Sequence, residues 1–72
     1  MQEWRFRVFG KLVAVTGRAG ARRAFYLGPE GKRRPADFII PADVADDGLD
    51  EYLGDLFHED ATPRYHSVER LN

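Results

Sequence analysis

The chain has 72 residues, no cysteine, 43% hydrophobic residues and a net charge of −1. This size suits one small α+β domain across residues 1–72, and the composition argues against a disulfide framework, a thiolate metal site and disorder. No stretch approaches the roughly 18–20 apolar residues of a membrane span, and the N-terminus lacks the apolar core of a signal peptide, so the sequence predicts a soluble cytoplasmic protein.

The charge is unevenly distributed along the chain. Residues 1–36 contain nine basic and two acidic side chains, whereas residues 37–72 contain two arginines and ten acids. Such asymmetry has two interpretations, which are mutual neutralisation of two packed halves and a nucleic-acid-binding face on the basic half. We favour neutralisation.

The first predicted element is a β-hairpin in WRFRVFGKLVAVT. Gly10-Lys11 fits a two-residue type II′ turn, which pairs Val8 with Val13. Because side chains alternate along a strand, one face is then apolar and the other carries arginine. The apolar face comprises Trp4, Phe6, Val8, Val13 and Val15, and the opposite face comprises Arg5, Arg7, Ala14 and Thr16.

A second hairpin is predicted between residues 24 and 40. GRAGARR (17–23) is a glycine-rich loop whose spacing matches no phosphate-binding pattern, and AFYL (24–27) is the third strand. After a turn at GPEG, the chain returns through KRRPADFII, where Phe38 and Ile40 share a face. Pro35 cannot donate a ladder hydrogen bond, so this fourth strand lies at an edge or carries a bulge.

The period of the apolar residues then changes from two to that of an α-helix, from about residue 48 to 58. Its apolar stripe, which we expect to be buried, comprises Leu49, Tyr52, Leu53, Leu56 and Phe57. Gly54 interrupts the helix and hints at a close contact there. The tail is predicted to be either a turn-like anchor through Tyr65, Val68 and Leu71 or a short final strand. The predicted architecture is therefore α+β, with about four antiparallel strands in two hairpins, one C-terminal helix on one face and a short tail.

The helix ends in DLFHED, which places His58, Glu59 and Asp60 at its C-terminus. His58 lies opposite the apolar stripe and is expected to face solvent. Acids are unfavourable at the negative end of a helix dipole. We therefore expect at least one residue of the basic run Lys32, Arg33 and Arg34 to form an ion pair with an acid of the second half, with Glu59 and Asp60 as the favoured partners. A metal site would require His58, Glu59 and His66 to converge, but adjacent helical residues point about 100° apart.

Three segments, FRVFGK, EGKRRPADFIIP and YLGDLFHEDATP, resemble those of an uncharacterised family of short bacterial proteins, a domain of unknown function. The runs GKRRPA and DLFHE carry the likeness most specifically, and it covers most of the chain. The resemblance implies a bacterial origin and a compact α+β domain. It brings no activity, cofactor or catalytic residue.

The sequence therefore predicts a non-enzymatic protein-interaction or accessory module with an unknown protein partner, no cofactor and no metal. An alternative is a nucleic-acid-binding domain that uses the basic strand face, and a less favoured one is a metal-dependent site at His58, Glu59 and His66. The candidate interaction residues are Lys32, Arg33, Arg34, Arg5, Arg7, His58 and Glu59.

Overall fold

The computed structural model describes residues 3–71, with the side chain of Glu30 excepted. It contains an antiparallel sheet of five strands in the order β4-β3-β2-β1-β5 and one α-helix. The elements are β1 (Glu3–Val8), β2 (Lys11–Thr16), β3 (Arg23–Leu27), β4 (Arg33–Pro35), α1 (Leu49–Leu56) and β5 (Val68–Arg70). Short 3₁₀ turns occupy Pro29–Gly31, Asp46–Gly48 and His58–Asp60. The α+β prediction is confirmed, with a fifth strand added to the predicted four.

The first hairpin turns at Phe9 and Gly10, so the predicted turn at Gly10 and Lys11 was wrong by one residue. Val8 pairs with Lys11, and both turn residues have positive φ, 49° at Phe9 and 87° at Gly10, as in a type I′ turn. The Phe9 amide donates to the Ser67 carbonyl at 3.2 Å. Moving a two-residue turn by one position shifts the register by two residues, so every side chain keeps its predicted face.

The core lies between the sheet and α1. Its buried residues are Phe6, Val8, Val13 and Val15 of the first hairpin, Leu49 and Leu53 of the helix, and Ile40. Trp4 is only half-buried, whereas Arg5 and Arg7 are exposed on the opposite face, as predicted. Ala14 is also fully buried, although it lies on that opposite face, because its small side chain sits between its register partners Arg5 and Phe25.

The helix is rotated relative to the predicted stripe, and the prediction that Leu56 is buried was wrong. Leu53 is fully buried, but Leu56 is 44% exposed. Gly54 lies against β5, where an added Cβ would stand 3.3 Å from Cγ2 of Val68. Residues 54 and 56 point roughly 160° apart on a helix. Packing the glycine side of α1 against β5 therefore turns Leu56 toward solvent.

The fourth strand is shorter than predicted, because pairing ends at Pro35 instead of continuing to residue 40. The next residue, Ala36, donates its amide hydrogen to the Ala24 carbonyl. Because neighbouring residues of a strand direct their backbone nitrogens to opposite sides, the Pro35 nitrogen is directed away from β3. Pro35 thus lies on an edge strand, as predicted. Beyond it, Phe38 and Ile40 pack against the core, whereas Ile39 between them is 85% exposed.

The tail forms the fifth strand, which is one of its two predicted alternatives. β5 pairs with β1 through Val8 and Val68, and the Leu71 amide donates to the Arg5 carbonyl at 2.8 Å. Upstream, the Tyr65 ring covers Gly10, where an added Cβ would lie 3.0 Å from Cγ of that ring. Within residues 3–71, no helix has the length and apolar character needed to cross a membrane.

Candidate functional site

The candidate interaction residues of the sequence occupy three separate places. Arg5 and Arg7 lie on the sheet face opposite α1, which we call the open sheet face. It is formed by Arg5, Arg7, Leu12, Ala14, Phe25, Leu27 and Arg33. Lys32 and Arg34 belong to the end of the β3–β4 hairpin, where only Arg33 between them joins Arg5 on the open sheet face, and His58 and Glu59 belong to the 3₁₀ turn that follows α1. The predicted residues therefore do not assemble into one site.

On the open sheet face, the arginines are compensated by carboxylates. Glu3 accepts hydrogen bonds from Nε of Arg5 at 2.8 Å and Nη1 of Arg33 at 3.0 Å, and Arg7 pairs with Glu69 at 3.3 Å. The hydrogen bond from Arg33, followed by that from Arg5, lowers the pKa of Glu3 below 4.5. Glu3 therefore remains charged at neutral pH and holds both guanidinium groups in place.

Ion pairs also join the two oppositely charged halves of the sequence. Arg22, whose side chain is 1% exposed, donates to the Asp46 carboxylate at 2.6 Å, and Arg7 reaches Glu69. Lys11 pairs with Asp60 at 3.0 Å. These contacts support the interpretation that the halves neutralise each other.

The prediction that the acids at the helix end pair with Lys32, Arg33 or Arg34 was wrong. Asp60 is paired with Lys11 of the first hairpin and not with the basic run. Arg33 pairs with Glu3, which belongs to the basic half, and its guanidinium lies 5.4 Å from the Phe25 ring centre. Among the described side chains, Lys32 and Arg34 have no carboxylate within ion-pair distance. Within the described part of the chain, no carboxylate neutralises these two cations.

Two adjoining depressions lie at the end of the β3–β4 hairpin, and we call them together the Tyr26 hollow. Their volumes are about 400 Å³ and 430 Å³, and Tyr26 and Arg34 border both of them. The first is also lined by Lys11 and Leu12, and the second by Gly28, Pro29, Lys32 and Arg33. The hollow thus combines an aromatic surface with a cationic rim.

The Tyr26 ring is fixed in this hollow by its neighbours. It meets Phe38 and Phe57 edge-on, with ring centres 6.2 and 6.4 Å away, and the Arg34 guanidinium lies 5.8 Å from its centre. Its hydroxyl donates to Oδ1 of Asp37 at 3.1 Å. Burial, followed by this hydrogen bond, raises the pKa of Tyr26 above 10.0. The ring therefore presents a neutral surface to the hollow.

An exposed apolar patch was not predicted from the sequence. We call it the Ile39–Leu56 patch, formed by Ile39, Tyr52 and Leu56. The Tyr52 hydroxyl donates to the Ile39 carbonyl at 3.1 Å, and Leu56 follows Tyr52 by one helical turn. Glu51 and Asp55 are exposed beside it on α1, and neither forms an ion pair with another described residue.

The sequence did contain signals for this patch. Ile39 stands between Phe38 and Ile40, which share the core-facing side, so alternation in an extended segment directs it outward. For Leu56 the sequence offered only Gly54, and its approach to Val68 of β5, which turns Leu56 outward, is a tertiary contact. Helical periodicity alone places Leu56 in the middle of the apolar stripe.

The metal-site alternative required three side chains to converge. His58, Glu59 and His66 are each exposed. In the part of the chain that the structure describes, no group of three His, Cys, Asp or Glu side chains is placed to hold a metal ion. The described residues therefore lack the arrangement that this alternative requires.

Comparison with known families gives one match, to a family model for a domain of unknown function, DUF7661, over residues 3–72. The chain belongs to the DUF7661 family. No curated protein and no solved structure matches this DUF7661 chain significantly. The family relationship leaves the biochemical role of the DUF7661 domain open, so its function has to be argued from its surfaces.

Proposed function

We propose that this DUF7661 chain is a non-enzymatic protein-interaction module whose contact surface is the Ile39–Leu56 patch. Its partner is a protein with an apolar contact residue surrounded by lysine or arginine. The observation that carries the proposal is the 85% exposure of Ile39, whose carbonyl is bonded to Tyr52 one helical turn before Leu56, which is itself 44% exposed. Adjacent exposed apolar side chains are typical of protein-protein contact sites.

The energetics of the patch favour a binding role over a folding role. Burying an isoleucine side chain contributes about 1.5–3 kcal/mol, and Ile39 leaves most of this unused within the chain. Its backbone is already held, because its carbonyl accepts the Tyr52 hydroxyl and its neighbours Phe38 and Ile40 pack against the core. A partner would therefore meet an ordered anchor, which reduces the entropy lost on binding.

The charge beside the patch determines the chemistry of the partner. Glu51 and Asp55 are exposed next to Tyr52 and Leu56 on α1, without ion pairs among the described residues. A basic partner surface would be attracted by these carboxylates, mainly through a faster association rate. The proposal assigns the chain no reaction of its own.

The nucleic-acid alternative has less support. Its basic strand face uses Arg5 and Arg7, and each of these arginines faces a carboxylate, Glu3 or Glu69. Binding of phosphates there would compete with these ion pairs. A steep loss of oligonucleotide affinity with salt would favour this alternative, because phosphate contacts release counterions.

The proposal is tested by site-specific photo-crosslinking in the native host. A photoreactive amino acid replaces Ile39 in one variant and Leu12, which is 38% exposed on the open sheet face, in the control. We expect a protein adduct from position 39 and none of the same mass from position 12. The adduct is identified by mass spectrometry, and its protein is purified for titration calorimetry.

Calorimetry then distinguishes specific binding from nonspecific adhesion to an apolar surface. We expect Ile39→Asp and Leu56→Ala each to weaken the purified complex by about tenfold or more, or about 1.4 kcal/mol. Leu12→Ala should leave the affinity unchanged. Asp55→Lys should weaken the complex with a basic partner. The absence of an adduct at position 39, or equal affinity of the Ile39→Asp variant, would contradict the proposal.

A further inference from the structure

We propose that the Tyr26 hollow is a binding site for a small phosphate monoester, separate from the Ile39–Leu56 patch and independent of it. Lys32 and Arg34 hold the phosphate, and the organic group lies against the Tyr26 ring and Pro29. The proposal rests on the lining of the two depressions. Tyr26 and Arg34 line both of them, and Lys32 lines the larger of the two.

Lys32 and Arg34 are placed to act together. Lys32 has an extended backbone, with φ of −68° and ψ of 137°, and leads directly into β4. Side chains two positions apart on an extended chain project to the same side, with their Cα atoms roughly 7 Å apart. Arg33, between them, points to the opposite side, where it contacts Glu3 and Phe25. The alternation thus places the side chains of Lys32 and Arg34 on the Tyr26 side, whereas the Arg33 guanidinium is held by Glu3 and Phe25 although Arg33 also borders the second depression.

The charges around the hollow favour an anion. Lys11 is paired with Asp60, and Asp37 accepts the Tyr26 hydroxyl, so both of these carboxylates have partners. Among the described side chains, Lys32 and Arg34 form no ion pair. Their two positive charges match a phosphate monoester, which carries about −1.5 to −2 at pH 7.

The geometry also suits an anion with at least two oxygens, and the two charges favour phosphate among such anions. The Arg34 guanidinium is oriented by its contact with the Tyr26 ring, and its planar set of donors can bind two phosphate oxygens at once. Lys32 adds a mobile point charge. A pre-oriented arginine beside a lysine therefore provides both direction and charge for the phosphate group.

The walls of the hollow indicate a ligand larger than inorganic phosphate. Each depression has a volume within the roughly 300–1,000 Å³ typical of small-molecule sites. The Tyr26 ring and Pro29 offer apolar surface against which a planar organic group can stack. A nucleoside monophosphate has both parts and is therefore the probe of choice.

The test is a titration of the full chain, followed by amide chemical shifts. The probes are 5′-AMP, inorganic phosphate, adenosine and a short single-stranded oligonucleotide. We expect 5′-AMP to shift the amides of residues 26–28 and 32–34, to bind more tightly than inorganic phosphate, and adenosine to cause no comparable shifts. Phosphate binding as tightly as 5′-AMP would refute recognition of the organic group.

Charge-matched variants distinguish a built site from general attraction. Lys32→Gln and Arg34→Gln should each lower the 5′-AMP affinity at least tenfold. Arg18→Gln removes the same charge from an exposed loop position and should leave the affinity unchanged. Equal losses in all three variants, or the absence of shifts in the hollow, would overturn the proposal. Oligonucleotide binding without 5′-AMP binding would also overturn it and would assign this surface to nucleic acid.

Discussion

Leu53 and Leu56 allow one substitution to be compared at a buried and an exposed position of the same helix. Leu53 is fully buried in the core, whereas Leu56 is 44% exposed. Replacing either with alanine removes three carbon atoms and makes the same change in helix propensity. The difference between the two losses in the free energy of unfolding therefore reports burial alone.

The structure predicts unequal losses. At about 0.8 kcal/mol for each buried carbon, Leu53→Ala loses about 2.4 kcal/mol of transfer free energy, and the cavity raises the total to about 2.7–5 kcal/mol. Leu56 has about half of its surface covered, and its removal leaves no closed cavity, so Leu56→Ala should cost about 1 kcal/mol. At roughly 4–8 °C for each kcal/mol, the two melting temperatures should be clearly separated.

The assay is urea unfolding followed by the fluorescence of Trp4. It is the sole tryptophan, and it packs against the core with the Arg70 guanidinium 4.8 Å from its ring centre. A domain of 72 residues has roughly 4–11 kcal/mol of stability, so Leu53→Ala can unfold it. In that case Leu53→Val and Leu56→Val provide a milder comparison. Equal losses, or a larger loss at Leu56, would refute the assigned rotation of α1.

Two further predictions concern the first hairpin and the open sheet face. Gly10→Ala and Gly20→Ala introduce the same backbone strain, because φ is +87° and +88°, but only the Gly10 Cβ would meet the Tyr65 ring, at 3.0 Å. Thermal melts should therefore show a larger loss of stability for Gly10→Ala than for Gly20→Ala, because the contact with Tyr65 adds to the roughly 1–2 kcal/mol that a left-handed alanine costs at either position. Equal losses of stability would contradict the contact with Tyr65. The Glu3 carboxylate has a lowered pKa, so its ion pairs stabilise the fold above pH 4.5, and this stabilisation is lost as the pH falls through the folded pKa. In urea titrations, Glu3→Gln should lower the free energy of unfolding at neutral pH and make its decline below pH 4.5 less steep. An unchanged pH profile would show that the ion pair of Glu3 with Arg33 does not stabilise the fold.

The faces of the first hairpin were predictable from the sequence although its turn was not. Glycine suits both the first position of a type II′ turn and the second position of a type I′ turn, so Gly10 fits either. The observed choice is accompanied by distant contacts, since the Phe9 amide bonds to Ser67 and Tyr65 covers Gly10. The faces survive this error because a shift of two residues preserves the alternation of side chains.

The candidate surfaces were predictable only in part. The basic run Lys32–Arg34 was recognised, but the sequence did not indicate that alternation separates Arg33 from its two neighbours. The exposure of Ile39 could have been predicted from the same alternation of side chains. The exposure of Leu56 could not, because it depends on how closely Gly54 approaches Val68.

Local periodicity by itself determined the α+β class, the apolar face of the first hairpin and the position of the helix. These features depend on residues a few positions apart, for which the strand and helix repeats are sufficient. Tertiary structure alone decided the partner of Asp60, because Lys11 lies 49 residues away and reaches it only after the helix end has docked beside the hairpin. It also decided which leucine of α1 faces solvent, since a helix can rotate about its axis until close packing against a distant strand sets its orientation.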